Sequence, residues 1–136
     1  MSKSYISPSL RRTVGDRAND CCEHCLIPEA LSLSSHHVAH IIAEKHGGHS
    51  TLENLALACA LCNLAKGSDI ASIDPHTGET VRLYNPRKDI WTDHFTLESV
   101  SGLIQPKTAI GRVTANLLRI NRLENLTVRQ LLAKIG

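Results

Sequence analysis

Aromatic residues are scarce in this chain, with one tryptophan, two tyrosines and one phenylalanine among its 136 residues. A core with so few rings must be mostly aliphatic, and a bound metal ion would help to hold it together. No apolar run approaches the roughly 20 residues of a membrane span. The first five residues also lack the apolar stretch of a signal peptide. These absences predict a cytoplasmic protein without a membrane partner.

A strong overall charge is also lacking, since the formal net charge is +2. The distribution is nevertheless uneven. Residues 107–136 carry six basic side chains and one acidic one, whereas residues 21–106 carry five basic and ten acidic ones. A basic C-terminal section beside an acidic, histidine-rich centre suits a protein that binds an anion and holds a cation. Amphipathic helices with solvated basic faces would produce the same pattern, so both interpretations stay open.

The length and the 42% apolar content fit one globular domain over residues 1–136, with a core at 20–70 and a C-terminal extension at 71–136. The expected class is α+β, with an N-terminal helix, a central strand–strand–helix unit, a small hairpin and C-terminal helices. The predicted elements are a helix at 8–19 capped by Ser7, strands at 35–42, 55–58 and 80–84, a helix at 62–66, a hairpin pairing 91–97 with 102–105, a helix from 108, and a last helix opened by a capping box at Thr127 and Gln130.

Four of the five cysteines form two CxxC pairs separated by 33 residues, namely Cys22 with Cys25 and Cys59 with Cys62. In a chain without a secretion signal, such pairs favour a metal over disulfides. Four thiolates satisfy tetrahedral zinc with no open position, which predicts a structural zinc site. Incidental buried cysteines or redox-active dithiols are the alternatives. Cys21 is expected to be a packing residue, and His24 is expected to be exposed.

Five of the eight histidines lie between positions 36 and 49. The string His-x-Val-x-His-Ile-Ile-x-x-x-His-Gly-Gly, followed by Asn-Leu and then Cys-x2-Cys-Asn-x2-Lys, resembles the HNH endonuclease family with its ββα-metal fold. The similarity covers about residues 20–70. Segments 73–79 and 95–118 also resemble small bacterial HNH nucleases.

The resemblance implies a role for each matching residue. His40 takes the place of the general base that activates water, for which a neutral imidazole is suited. Asn54 takes the place of the residue that orients this imidazole through contacts in the loop. Asn63 matches a ligand of one catalytic divalent cation, Mg²⁺ or Mn²⁺, to which it offers a carbonyl oxygen. Such a cation would neutralise charge on the scissile phosphate and the leaving oxygen.

Ala39 departs from the family pattern. The residue before the general base is usually Asp, sometimes Glu or His, and it is the other protein ligand of the cation. A methyl group cannot coordinate a metal, so the chain as written is expected to be inactive or impaired. Three explanations stay open: an engineered inactive nuclease, which we favour, a naturally degenerate nuclease that still binds nucleic acid, or a replacement ligand from His36 or His37.

The resemblance implies double-stranded DNA as the partner, hydrolysed at its phosphodiester bonds. Four residues are candidates for nucleic-acid contacts: His46, Lys66, Arg112 and Arg119. Lys66 faces either the phosphate or the solvent, and the apolar faces of the last two helices either close the core or form a homodimer. The alternative functions are a non-catalytic, zinc-containing nucleic-acid-binding module and a zinc-stabilised protein-interaction domain.

Overall fold

The computed structural model describes residues 5–135. Its helices and strands follow one another in small units, and every sheet is a two-stranded antiparallel pair. The elements, in chain order, are α1 (Pro8–Arg17), β1 (His37–His40), β2 (Leu55–Ala58), α2 (Ala60–Lys66), β3 (Ala71–Ile73), β4 (Thr80–Arg82), α3 (Trp91–His94), β5 (Phe95–Leu97), β6 (Ile104–Pro106), α4 (Ala109–Leu118) and α5 (Leu123–Ile135). The predicted α+β class is confirmed.

The N-terminal helix begins where the sequence predicts. The Ser7 side chain accepts a hydrogen bond from the Leu10 amide, and Pro8 occupies the first helical turn, where its missing N–H costs nothing. The helix ends at Arg17, two residues earlier than expected. Val14 is completely buried and packs with Leu55 and Leu57, so α1 covers one face of β2.

The central strand–strand–helix unit places β1 antiparallel to β2, with Ala39 opposite Ala56 and His40 opposite Leu55. Helix α2 then follows β2 directly. It begins two residues before the predicted start, because the Cys59 side chain caps it by accepting from the Cys62 amide. The first strand covers only residues 37–40 of the predicted 35–42.

Two further hairpins follow this unit. Strand β3, which the sequence analysis missed, pairs with β4. The strand predicted at 80–84 is confirmed only for its first three residues. The hairpin predicted at 91–97 is wrong in its first half, because Trp91–His94 forms a helical turn. Only Phe95–Leu97 pairs with Ile104–Pro106.

The two C-terminal helices pack on the hairpins and on the cysteine-rich part of the chain. The helix predicted from residue 108 begins at Ala109, and Thr108 caps it by accepting from the Gly111 amide. The predicted capping box at 127–130 is wrong, since α5 already begins at Leu123. The Thr127 hydroxyl instead donates to the Leu123 carbonyl one turn back, and the Gln130 amide donates to the Ser101 carbonyl. Within residues 5–135, no helix has the length and apolar content needed to cross a membrane.

Three of the four aromatic residues gather at one place in the core. The ring of Phe95 lies 5.5 Å from that of Tyr84 and 5.0 Å from that of Trp91, measured between centroids. Burial raises the pKa of Tyr84 to about 12, so its hydroxyl stays protonated at neutral pH. The cluster belongs to the same hydrophobic core as the four paired cysteines. The few rings are therefore concentrated beside the predicted metal site.

Candidate active site and metal centre

The two CxxC pairs meet in the core. Each offers two sulfurs, and the four ligand atoms of Cys22, Cys25, Cys59 and Cys62 lie within 4.8 Å of one another. All four residues are buried. The Cys25 amide lies 3.5 Å from the Cys22 sulfur and the Cys62 amide 3.4 Å from the Cys59 sulfur, as in hydrogen bonds that stabilise thiolates. This closed four-sulfur cluster fits a structural zinc ion.

Cys21 lies outside the cluster. It is half-buried, and its thiol donates to the Asn19 carbonyl at 3.4 Å. This position of Cys21 agrees with the prediction that the metal ligands are the cysteines of the two CxxC pairs.

His24, between the two ligands of the first pair, is buried rather than exposed as predicted. Desolvation is the main reason that its pKa falls to about 4, so the imidazole is neutral at pH 7. Its carbonyl accepts a hydrogen bond from the Trp91 indole N–H at 3.1 Å, and its ring meets Tyr84 edge-on. His24 is therefore buried by residues that come much later in the chain.

Two hydrogen bonds of Glu23 fasten the first cysteine pair to β2. One carboxylate oxygen of Glu23 accepts from the Leu57 amide at 2.8 Å, and the Glu23 amide donates to the Leu57 carbonyl. The other carboxylate oxygen pairs with Arg87. The loop that carries Cys22 and Cys25 is thus held against the strand that leads to Cys59.

Ala39, His40 and Asn63 line one open cleft of about 310 Å³ beside the hairpin. Val38, Ala43 and Glu44 complete its wall on the strand side, and Gly67 and Ser68 complete it beyond α2. The sequence analysis assigned the first three positions to one site, and the fold brings them together. It did not single out Glu44, which carries the acidic group of this cleft.

The imidazole of His40, at the end of β1, is half-buried and has one polar partner. Its Nε2 lies 2.8 Å from the Ser50 hydroxyl oxygen. Either atom can donate in this contact, depending on the histidine tautomer. The contact fixes the ring orientation and leaves Nδ1 for another task. Ser50 was missed in the sequence, because a small polar residue in a loop carries no distinguishing pattern.

Asn54 holds the loop between the two strands closed. Its side-chain oxygen accepts from the Ile42 amide, and its side-chain nitrogen donates to the carbonyls of Ile42 and His49, each at 2.9 Å. Its own carbonyl accepts from the Ile41 amide. Asn54 therefore connects the chain that follows His40 to the chain that precedes Ser50. The backbone contacts in the loop that the resemblance implies are present, and the orienting of the imidazole through them stays a prediction.

Gly48 allows the same loop to close. A Cβ atom at this position would lie 1.7 Å from the Ile42 carbonyl oxygen, which no side chain tolerates. Gly48 is therefore needed for more than the turn, because its missing side chain lets its backbone contact that of Ile42.

The predicted nucleic-acid contacts divide into two groups. His46 and Arg119 are exposed. Lys66 faces neither phosphate nor solvent, as its buried ammonium donates to the Ile41 carbonyl at 2.8 Å. Desolvation lowers the pKa of Lys66. Arg112 is likewise engaged, because it forms a two-point ion pair with Asp74, which is completely buried.

Part of the basic C-terminal section is committed to contacts within the protein, although Lys107, Arg119 and Lys134 are exposed. Lys107 donates to the Thr92 carbonyl, and Arg122 donates to the carbonyls of Leu118 and Arg119. Arg129 is buried and bonded to four oxygen atoms. The charge count over this section overstated the cations available to a phosphate, because it could not separate surface from interior.

The histidines offered as replacement ligands lie elsewhere. His36 is buried, its Nε2 lies 2.8 Å from the Ile27 carbonyl oxygen, and its ring lines a different cleft, next to α1. His37 is exposed at the start of β1, opposite Ala58. Neither residue lines the cleft of Ala39 and Asn63.

A two-stranded hairpin followed by a helix, with a histidine at the end of the first strand and cysteines at the base, defines a ββα-metal type of scaffold. Residues 22–69 match the model of a family described as HNH endonuclease. The resemblance predicted from the sequence is confirmed for this segment, and the match supports a nuclease-like function. Searches of curated proteins and of solved structures each gave no match.

Proposed function

We propose that this protein is a metal-dependent HNH endonuclease, acting on phosphodiester bonds of double-stranded DNA, whose present sequence is inactive or impaired. The observation that carries the proposal is the cleft in which Ala39, His40 and Asn63 meet. Residues 1–136 are proposed as a single nuclease domain that works in the cytoplasm. Dimerisation through the C-terminal helices is a further possibility that gel filtration with light scattering would test.

His40 is proposed as the general base. With Nε2 engaged by Ser50, the remaining nitrogen of the ring is available to take a proton from water, within a cleft open to solvent. Asn54 is proposed as a positioning residue, because it joins the two ends of the loop that brings Ser50 to His40.

Asn63 is proposed as a ligand of the catalytic cation, Mg²⁺ or Mn²⁺, through its carbonyl oxygen. The residues present do not complete this site, because Ala39 offers no ligand atom where the family supplies one. Cation binding is therefore expected to be weak, and no catalytic step is assigned to the cation in this chain. The four-cysteine cluster, which fits zinc, has all of its ligands.

The phosphate contacts proposed from the sequence are retained for His46 and Arg119, which are exposed. Lys66 and Arg112 are proposed instead to support the site indirectly. Lys66 holds the backbone just after His40, and Arg112 fastens the hairpin that follows α2.

Replacing Ala39→Asp tests the proposal directly. The variant should bind Mn²⁺ at least about tenfold more tightly and nick plasmid DNA in Mg²⁺ or Mn²⁺, since an anionic ligand is restored. The control is Ala39→Asn combined with His40→Ala, which adds a neutral ligand and removes the base. Failure of A39D to cleave any DNA substrate across several metals, despite tight Mn²⁺ binding, would count heavily against the proposed nuclease.

The alternative is a non-catalytic, zinc-containing nucleic-acid-binding module, which Ala39 itself favours. It predicts that the protein binds DNA with a salt-sensitive affinity and that the A39D variant still does not cleave the DNA. Fluorescence anisotropy with a labelled duplex at two salt concentrations, run beside the plasmid assay, distinguishes the two functions.

A further inference from the structure

The guanidinium of Arg129, in the middle of α5, is buried without an acidic partner. Its side chain donates to the carbonyls of Gly102, Cys25 and Ile120 at 2.6, 2.7 and 2.7 Å, and to the side-chain oxygen of Asn121 at 3.0 Å. The residue is 3% exposed. Among residues 5–135, the ion pairs found use Arg82, Arg87 and Arg112, and Arg129 has none.

Such a cation is costly to bury. Neutral carbonyl oxygens satisfy its hydrogen bonds but leave its charge uncompensated, and a buried charge is tolerated when an opposite charge lies close to it. The guanidinium of Arg129 donates to the carbonyl of Cys25, so the four-cysteine cluster is the source of negative charge that lies next to it.

The cluster, in contrast, carries an excess of negative charge when zinc is bound. Four thiolates around one Zn²⁺ carry a net charge of about −2, by adding four negative charges to two positive ones. All four cysteines are buried, so little of this charge is screened by water. Two backbone amides, those of Cys25 and Cys62, point at sulfurs within their own pairs. They offer partial dipoles, whereas Arg129 offers a full positive charge bonded to the Cys25 carbonyl.

We propose that Arg129 is the counter-cation of the zinc–thiolate centre, so that metal binding and the docking of α5 stabilise each other. The contact joins residues 104 positions apart in the chain, Cys25 and Arg129. Metal binding keeps the ligand sulfurs as thiolates, so the loss of zinc reduces the negative charge that faces the buried guanidinium. Loss of zinc therefore weakens the packing of α5 against the cluster. It also weakens the attachment of Ile120 and Asn121, which accept hydrogen bonds from the same Arg129 side chain.

Zinc affinity of three variants tests the charge. Arg129→Met should lower the affinity about 10- to 100-fold, the usual effect of removing a group that supports metal ligands. Arg129→Lys, which keeps the charge and loses the forked geometry, should lose clearly less. Arg122→Met is the matched control, because Arg122 also donates to carbonyl oxygens, those of Leu118 and Arg119, but does not reach a cysteine. Affinity is measured by competition with a chromophoric chelator.

Equal affinity of R129M and the unmodified protein contradicts the proposal. Equal losses in R129K and R129M also contradict it, because they show that hydrogen-bond geometry matters and charge does not.

A measurement on the unmodified protein decides the matter if R129M does not fold. Hydrogen exchange is followed while a chelator removes zinc in steps, over the range in which far-UV circular dichroism shows that the protein is still folded. The proposal expects α5 to lose protection together with the cysteine pairs, and before the β3–β4 hairpin. Unchanged protection of α5 contradicts the coupling. A uniform loss across all elements contradicts it as well, because only global unfolding has then occurred.

Discussion

The four-cysteine cluster and the cleft of His40 lie on the same ββα unit, yet they differ in how their parts are supplied. The cluster draws its ligands from two local pairs, each with a backbone amide pointing at a sulfur of the pair. The cleft takes Ala39 and His40 from β1 and Asn63 from α2, and it depends on a loop closed by Asn54. The cluster has four sulfur ligands, whereas Ala39 offers the cleft no ligand atom.

The difference shows that the stability of the fold can be independent of the residues that line the cleft. The cluster contributes to folding, so a lost ligand there removes the whole structure. Ala39 is half-buried and pairs normally with Ala56, so a lost ligand there costs the fold little. Under the proposed function, a protein of this design keeps its shape while the proposed cation site is incomplete.

The largest expected effect comes from breaking the cluster. Cys59→Ser removes one thiolate, while the serine hydroxyl can still cap α2, so the change tests the metal ligand alone. Because zinc contributes on the order of 10 kcal/mol in such sites, and whole domains are stable by only about 5–15 kcal/mol, C59S should be largely unfolded at 25 °C. Far-UV circular dichroism with added zinc measures this, and Cys21→Ser is the control expected to fold normally. A cooperative melting curve for C59S like that of the unmodified protein would contradict the assignment.

A smaller effect is expected from disturbing the loop of the cleft. Gly48→Ala forces a Cβ against the Ile42 carbonyl and should cost about 2–4 kcal/mol, since the loop must move and the Asn54 bonds weaken. Gly47→Ala is the matched control. Its backbone has φ of 91° but open space around it, so about 1 kcal/mol is expected. Urea denaturation gives both values, and bound zinc should stay near one equivalent in both variants. Equal destabilisation would show that steric contact with Ile42 does not matter.

The mildest test uses pH and the Asp74–Arg112 ion pair, which ties the β3–β4 hairpin to α4 without metal. The Arg112 side chain is the main reason that the pKa of Asp74 lies below its usual value near 4. A lowered folded-state pKa gives stability that is present above the unfolded value and is lost as pH falls through the folded one. Asp74→Asn should therefore be less stable than the unmodified protein at pH 7, and the gap should narrow below about pH 4.

The measurement is urea denaturation of both proteins at several pH values with the same excess of zinc, so that acid loss of metal affects both. A difference in stability that is independent of pH would show that the ion pair contributes nothing through charge.

The sequence predicted what depends on nearby residues. The paired cysteines and β2 lie where spacing and apolar pattern placed them, and Ser7 and Thr108 cap the helices they precede. What it could not predict depends on contacts between distant parts of the chain. His24 is buried by Trp91 and Tyr84, which lie some 60 residues later, and Lys66 is captured by the Ile41 carbonyl.

Arg129 shows the same limit most clearly. In sequence it is one of six basic residues near the C-terminus, and in the structure it is an interior cation beside Cys25. Thr127 and Gln130 fit a capping box by spacing, but the helix had already begun one turn earlier, so both side chains found other partners. Short-range patterns predict local turns, whereas the burial of polar groups requires the whole fold.

Trp91 is the single tryptophan of the chain, and its indole N–H is bonded to the carbonyl of His24, between Cys22 and Cys25. All of the tryptophan fluorescence of this protein therefore originates next to the metal ligands. The wavelength and the quenching of its emission therefore report metal binding without a label, both at equilibrium and in stopped-flow kinetics.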